Sequence, residues 1–472
     1  ASNNTAVGRL ALFANTTGDS NTALGSLAAQ STSTANNCTA IGRSSLFDNT
    51  TGSDNTAVGK SALENNTTAS NNTAVGKDAL LANTTGAANT AVGRVALDAN
   101  TTGSNNVAVG NQSLGENTTA SQNVAVGDHA LNKNTTANNN TAVGYSALFA
   151  NTTGTKNTAV GSNSADAITT GNFNVALGSD SLTANTTGSS NTALGVEALK
   201  ANTTASNNVA IGKDAMIANT TGSDNTAVGS NALTDLSDQS ESTAVGHSAG
   251  ENAVGAKNTF MGTDAGKGAT SGCNGDSNTV VGKGAFTLFT TGRNNTCIGI
   301  QAGENLTTGQ NNLFLGRNAG TTSSPNGNHV TASNRIVLGD NNISDAHIKV
   351  SFVATSDERD KADITDFTKG LDFVNALRPV TYKWDMRSNY SSDLSVTPDG
   401  THKTARKEVG LIAQEVETIE KANGFGTDEN DRLFISLSED GKNYGLRYER
   451  LVTVLVNAVQ ELSAKVTALE AG

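Results

Sequence analysis

The sequence predicts a mainly β protein: a β-solenoid of 17-residue coils, then a smaller α+β domain that ends in a long helix. Three observations predict it. Glycine recurs at 8, 25, 42, 59, 76, 93, 110, 127, 144, 161, 178, 195, 212, 229 and 246 without a slip. Charged residues number 38 in the first 350 positions and 36 in the last 122, so two physically different domains join near residue 350. Beyond residue 444 the apolar residues Tyr448, Leu451, Leu455, Ala458, Leu462 and Leu469 fall at helical 3–4 spacing, with Lys465 interrupting.

Each coil starts with a phrase such as Thr5-Ala6-Val7-Gly8. Alanine stands two before the glycine in all fifteen coils, Val, Leu or Ile one before, and Thr or Val three before. Three residues bounded by Asn and Gly, with Thr and Val on one face and Ala on the other, read as a short strand. The "SAL" segment supplies a second short extended stretch, and "NTTGS" supplies turn residues. A β-branched cluster followed by glycine in every coil breaks any helical period. Stacking then buries Val on Val and Leu on Leu, and each strand bonds its equivalent in the next coil. The uniform alanine calls for close approach of another backbone, read as a neighbouring subunit, and a symmetric oligomer would complete the core of so thin a coil. The whole reads as a rod.

Regular coils occupy 1–246. After Gly246 the comparable glycines fall at 262, 282, 299, 316 and 339, so 247–350 is an irregular solenoid end, with insertions at 266–277 and 321–333 mapping to loops. The third domain is 351–472. The chain opens at "ASNNTAVG", already in repeat phase, so an upstream segment is expected.

Composition narrows the function. A formal charge of −12 argues against nucleic acid and anionic membranes as partners, and no apolar run reaches membrane-spanning length. Cys38, Cys273 and Cys297 lack zinc spacing and read as repeat fillers. Turn acids such as Asp54 and Asp224 read as solvated rather than calcium-bound, so neither metal nor cofactor is expected. Eleven Asn-Thr-Thr triplets match the N-glycosylation sequon, but turn chemistry explains them equally.

The phrase "NNVAVG" at 105–110 resembles the head repeats of trimeric autotransporter adhesins. That resemblance covers residues 1 to about 320 and implies a left-handed, trimeric β-roll.

Four motifs carry a second resemblance. They are Ser-Asp-x-Arg-x-Lys at 356–361, Leu377-Arg378-Pro379 with Tyr382-Lys383-Trp384, Gly410-Leu411-Ile412-Ala413-Gln414-Glu415-Val416, and the closing helix. In this order they resemble the intramolecular chaperone of endosialidase family, found at the C-terminus of phage tail fibres and tailspikes. The resemblance implies a domain that trimerises first through a coiled coil, registers three chains, lets the β-rod fold, and then cuts itself off. Near-identical coils specify register weakly, and non-local pairing of three chains is slow, so a clamp answers a physical need.

The resemblance makes Ser356 and Lys361 a nucleophile–base dyad. A serine hydroxyl needs a base, and a lysine serves only where burial or neighbours favour its neutral amine. An N→O acyl shift places the break at Thr355–Ser356; a cut after the serine is the alternative, and the sequence does not choose between them. Asp357, Arg359 and Asp360 are expected to orient the strand or pair with each other; no motif supports a role for His402. The only chemistry expected is thus a single-turnover serine autoproteolysis.

Three functions compete. The first is the shaft of a homotrimeric viral (phage-type) fibre on the virion, attaching to a host-surface glycan or protein receptor, with a self-cleaving chaperone. The second is a trimeric cell-surface adhesin. The third, a glycan-cleaving enzyme, is disfavoured because residues 1–350 lack a paired-carboxylate constellation.

Overall fold

The computed structural model describes residues 1–325, 327–349, 352–391, 394–439 and 441–472. The boundary expected between 350 and 351 falls outside the described residues, as does position 326 of the second insertion. The chain divides into two compact units: Ala1–Gly284 with Phe289–Arg293, and Ala285–Leu288 with Asn294–Gly472.

The first unit is a β-solenoid of parallel three-residue strands, from β1 (Thr5–Val7) and β2 (Thr22–Leu24) to β17 (Thr279–Val281). Register is one strand per coil, with Thr5 opposite Thr22 and Ala6 opposite Ala23. Each strand stops at its frame glycine. Gly8 has φ +138°, and a Cβ there would lie 2.4 Å from the Gly25 carbonyl oxygen, so only glycine lets successive coils stack.

The strand faces are the reverse of the expectation. Alanine, and not the Thr/Val pair, points inward: Ala57, Ala74 and Ala91 are fully buried within the single chain. No second subunit is needed to explain them, because the narrow coil interior admits only a methyl opposite the buried leucines Leu46, Leu63 and Leu80. Val stays half-exposed to exposed along the outside, as at Val7 and Val58. The "SAL" stretch is no strand either. Its residues alternate into the left-handed region, Leu46 at φ +56° and Leu63 at φ +54°. The cost of left-handed leucine is offset by burial of the side chain and by bonds to the next coil, such as Leu46 N–H to Ala62 O at 2.9 Å.

Two columns of buried asparagine complete the interior. At the position before the strand, Asn72 N–H donates to Asn55 Oδ1 (2.9 Å), while Asn55 Nδ2 donates to Ala69 O (2.8 Å). At the Asn-Thr-Thr position, Asn66 Nδ2 donates both to Asn49 Oδ1 and to Ala69 O, each at 2.9 Å. These amides satisfy buried backbone groups coil after coil. Asn49 to Asn151 and Asn185 to Asn219 are fully buried at this position, so in the folded solenoid their sequons present no amide to a glycan.

Cys38 occupies an asparagine position of the first column. Its backbone N–H is taken by Asn21 Oδ1 at 2.9 Å, and its thiol reaches Gly52 O at 3.3 Å, a weaker donor doing the amide's task. Cys38→Asn is therefore expected to stabilise the first coils by about 1 kcal/mol, read as a higher thermal unfolding midpoint. All three cysteines are free and buried.

Where the coil changes, bulk is conserved. Phe260 replaces the inward alanine, and glycine replaces the buried leucine at Gly250 and Gly266, where a Cβ would meet the Phe260 ring at 2.6 and 2.0 Å. The insertion 266–277 joins this wall through Ala253, which bridges to Cys273.

The second unit carries β18 (Thr296–Ile298), β19 (Leu313–Leu315) and β20 (Ile336–Leu338) in the same parallel register. Phe314 faces Gly320 in the same large-for-small exchange. An α+β region follows: α1 (Leu371–Ala376), β21 (Val380–Tyr382), β22 (Glu408–Gly410), α2 (Ala413–Ala422), β23 (Ile435–Leu437), β24 (Tyr444–Leu446) and α3 (Leu451–Glu470). Its core is Phe373, Val416, Phe434, Ile435, Leu451 and Val454. The fold is thus the β-solenoid of 17-residue repeats with a small α+β region and terminal helix that the sequence predicts.

Candidate chaperone and self-cleavage site

Residues 356–361 form a tight turn. Asp357 caps the 3₁₀ turn Glu358–Asp360 by accepting from Arg359 N–H at 3.0 Å. The Arg359 guanidinium closes a two-point pair on the same carboxylate, Nε to Oδ1 at 3.0 Å and Nη2 to Oδ2 at 2.6 Å. That pairing holds the Asp357 carboxyl below its usual range. Lys361 N–H donates to Glu358 O at 3.1 Å. The turn thereby returns Lys361 to Ser356: Nζ lies 2.7 Å from Oγ and 3.3 Å from the Ser356 carbonyl oxygen. Both residues, with Thr355, are exposed in the single chain. The hydrogen bond is in place at a site open to solvent in the single chain.

The other motifs meet in the core region. β21, from the Pro379–Tyr382 motif, pairs antiparallel with β22, so Val380 faces Gly410 and Tyr382 faces Glu408. The Arg378 guanidinium donates to the Glu415 carboxylate, Nε to Oε2 at 3.1 Å, and holds that carboxyl below its usual range. Tyr448 Oη accepts from Leu411 N–H at 3.0 Å, tying the start of the last helix to the same sheet. Glu420 is fully buried on α2; its Oε1 accepts from Phe434 N–H at 3.0 Å and also from Leu433 N–H, pinning the loop that brings Phe434 into the core. His402 packs edge-on against Tyr390, ring centroids 4.6 Å apart.

Helix α3 carries two apolar faces. Leu451, Val454 and Ala458 are buried, and the helix packs against α1. Val452, Leu455, Val459, Leu462, Val466 and Leu469 are each 44–82% exposed. This corrects the expected stripe. Leu451 and Ala458 belong to the core of their own chain, and the free face steps 3-4-3-4-3 without interruption, Val at every a and Leu at every d position. Lys465 falls at g and Glu470 at the following e, so Lys465 flanks this exposed face instead of breaking it.

The second unit also holds the last coils against the α+β region. Glu439 Oε2 accepts from Val330 N–H (3.1 Å) and Thr331 N–H (3.0 Å), and Arg406 Nη1 pairs with Asp345 at 2.7 Å. Sequence reasoning missed this contact, which falls on the insertion 321–333. Beside it His329, 3% exposed, lies against Phe314 with ring centroids 5.7 Å apart and leaves both ring nitrogens unbonded. Burial pushes its pKa below 6.5, against the opposing pull of Glu439. The unfolded chain then binds more protons than the folded one, so this stability is present above about pH 6.5 and is lost as pH falls through the folded value. Hydrogen exchange of amides 327–333, corrected for intrinsic rates, should rise on acidification, and His329→Phe should abolish that rise.

Residues 356–425 match the family described as chaperone of endosialidase. The match opens on Ser356 and ends three residues beyond α2, so it contains the turn, both motif strands and the Arg378–Glu415 pair, and leaves α3 outside. No curated protein and no solved structure matches the chain. Among the described residues no helix is long and apolar enough to cross a membrane, and no group of three or more His, Cys, Asp or Glu side chains is placed to hold a metal ion. The chain therefore couples a β-solenoid to a segment that matches the chaperone of endosialidase family.

Proposed function

We propose that the chain is the shaft of a homotrimeric, phage-type viral fibre carried on the virion, assembled by its own C-terminal chaperone, which then cleaves itself beside Ser356 and leaves the shaft to attach to a host surface. The observation that carries this reading is the match at 356–425, C-terminal to a solenoid whose near-identical coils leave chain register weakly specified. The exposed a/d face of α3 supports it, being a surface that one chain alone leaves in water. Val at a and Leu at d by themselves favour two strands, so the count of three rests on the family.

Native mass spectrometry tests the reading. A particle of three chains of 47.9 kDa, or of three shortened chains, is the expected result; a monomer would sink it. The trimeric adhesin is the second reading, favoured by the repeat phrase at 105–110. It needs a membrane anchor, and a secretion signal found upstream of Ala1 would support it over the fibre.

A further inference from the structure

The first hundred residues distribute their charge unevenly between coil positions. Their five basic residues, Arg9, Arg43, Lys60, Lys77 and Arg94, all occupy the position immediately after the frame glycine. Their six acids, Asp19, Asp48, Asp54, Glu64, Asp78 and Asp98, scatter over five other positions of the coil. Backbone bonds fix the cations in one column: Ser61 N–H donates to Arg43 O (2.9 Å), Asp78 N–H to Lys60 O (2.9 Å) and Val95 N–H to Lys77 O (3.0 Å). All five side chains are exposed. Four of them, Arg43 to Arg94, stand in consecutive coils, so the row advances by about 4.8 Å per charge and spans roughly 14 Å.

Like charges stacked at that spacing repel, and the fold does little to relieve them. Lys77 meets Asp78 at 3.1 Å and Arg94 donates to Asn111 Oδ1 at 3.2 Å. Among the described residues no carboxylate pairs with Arg9, Arg43 or Lys60. A solubilising surface needs charge, but not one sign in one column. From this arrangement we propose that the first six coils bind a linear acidic polysaccharide laid along the column, its carboxylates taken one after another by Arg43, Lys60, Lys77 and Arg94.

Nucleic acid fits less well. Duplex phosphates wind around an axis instead of following a straight row, and single strands are held by stacking on aromatic rings, of which this stretch of the column has none. The proposal deepens the host-attachment role and rests on the fibre reading for that role; the binding itself rests on the solenoid alone.

Calorimetric titration of the full chain with polygalacturonate, which carries one carboxylate per sugar, tests it, with uncharged dextran and oligo-dT as comparison ligands. Polygalacturonate should bind at low salt, weaken by about tenfold or more at high salt, and outcompete oligo-dT; dextran should not bind. R43Q/K60Q/K77Q/R94Q should lose about tenfold or more in affinity. K133Q/K156Q/K200Q/K257Q, which removes as much charge elsewhere on the solenoid, should keep wild-type affinity. No binding, equal loss in both variants, or tighter binding of oligo-dT would overturn the proposal. Native mass on the same samples separates the two readings: a monomer that still binds polygalacturonate refutes the fibre assembly and leaves the column standing.

Discussion

Ser356→Ala should yield only full-length chain, 47.9 kDa under denaturing conditions, under conditions where the wild type yields two fragments split beside residue 356. The turn at 356–361 already supplies the contact such a reaction needs, with Lys361 Nζ 2.7 Å from Ser356 Oγ. As it stands the ammonium donates to the hydroxyl, and a base must instead accept the hydroxyl proton. Lys361→Met should slow cleavage by about 10²–10⁴-fold, the range for loss of a positioned general base, while Ser356→Ala removes the nucleophile and abolishes it. Both residues are exposed, so neither change should disturb folding, and native mass should show the same number of solenoid chains per particle in both variants as in the wild type. If assembly encloses this exposed turn, dilution that dissociates the chains should slow cleavage. Unchanged fragmentation in Ser356→Ala would remove the serine from the mechanism.

Much of this was legible in the sequence, and the errors share a cause. Glycine every 17 residues and a Thr-Ala-Val phrase before each fix the coil, because only glycine at Gly8 or Gly25 permits the close approach of the next coil. The period of two correctly separates Ala57 from Thr56 and Val58, yet periodicity alone cannot say which face turns inward. Size could have decided it: one methyl per coil suits an enclosed position, whereas Val, Leu and Ile interchange freely at the half-exposed one. The asparagine columns also left a signal, since Asn55, Asn72 and Asn89 recur at a position whose neighbours are buried. A polar side chain repeated at coil spacing can pair with its own copies, and only stacking brings Asn49 to Asn66. The approach of Lys361 to Ser356 is local, set within six residues of one turn. The Glu439 contact with Val330 and Thr331 spans more than a hundred residues and has no pattern to betray it.

Helix α3 shows the same limit and gives the second large expected effect. Both of its faces are apolar at 3–4 spacing, so a single stripe drawn through Leu451, Leu455, Ala458 and Leu462 mixes a buried face with an exposed one. The structure separates them, and the separation makes a clean experiment. Leu455→Lys with Leu462→Lys places two cations at d positions of the exposed face, where a coiled-coil seam would bury them side by side in every chain. Assembly should be lost outright, read by native mass as a monomer at protein concentrations where the wild type is oligomeric. The inward residues Leu451, Val454 and Ala458 are untouched, so the core around Phe373 and Phe434 should persist and helical circular dichroism should remain. Leu451→Lys is the opposite control: it buries a charge in the chain's own core and should unfold the α+β region by several kcal/mol. If assembly precedes both cleavage and registration of the coils, the double variant should also stop cleaving and yield misregistered, aggregating solenoid. A double variant that remains oligomeric and cleaves normally would assign assembly to the solenoid's exposed valine edge instead, and the chaperone would then act without its helix.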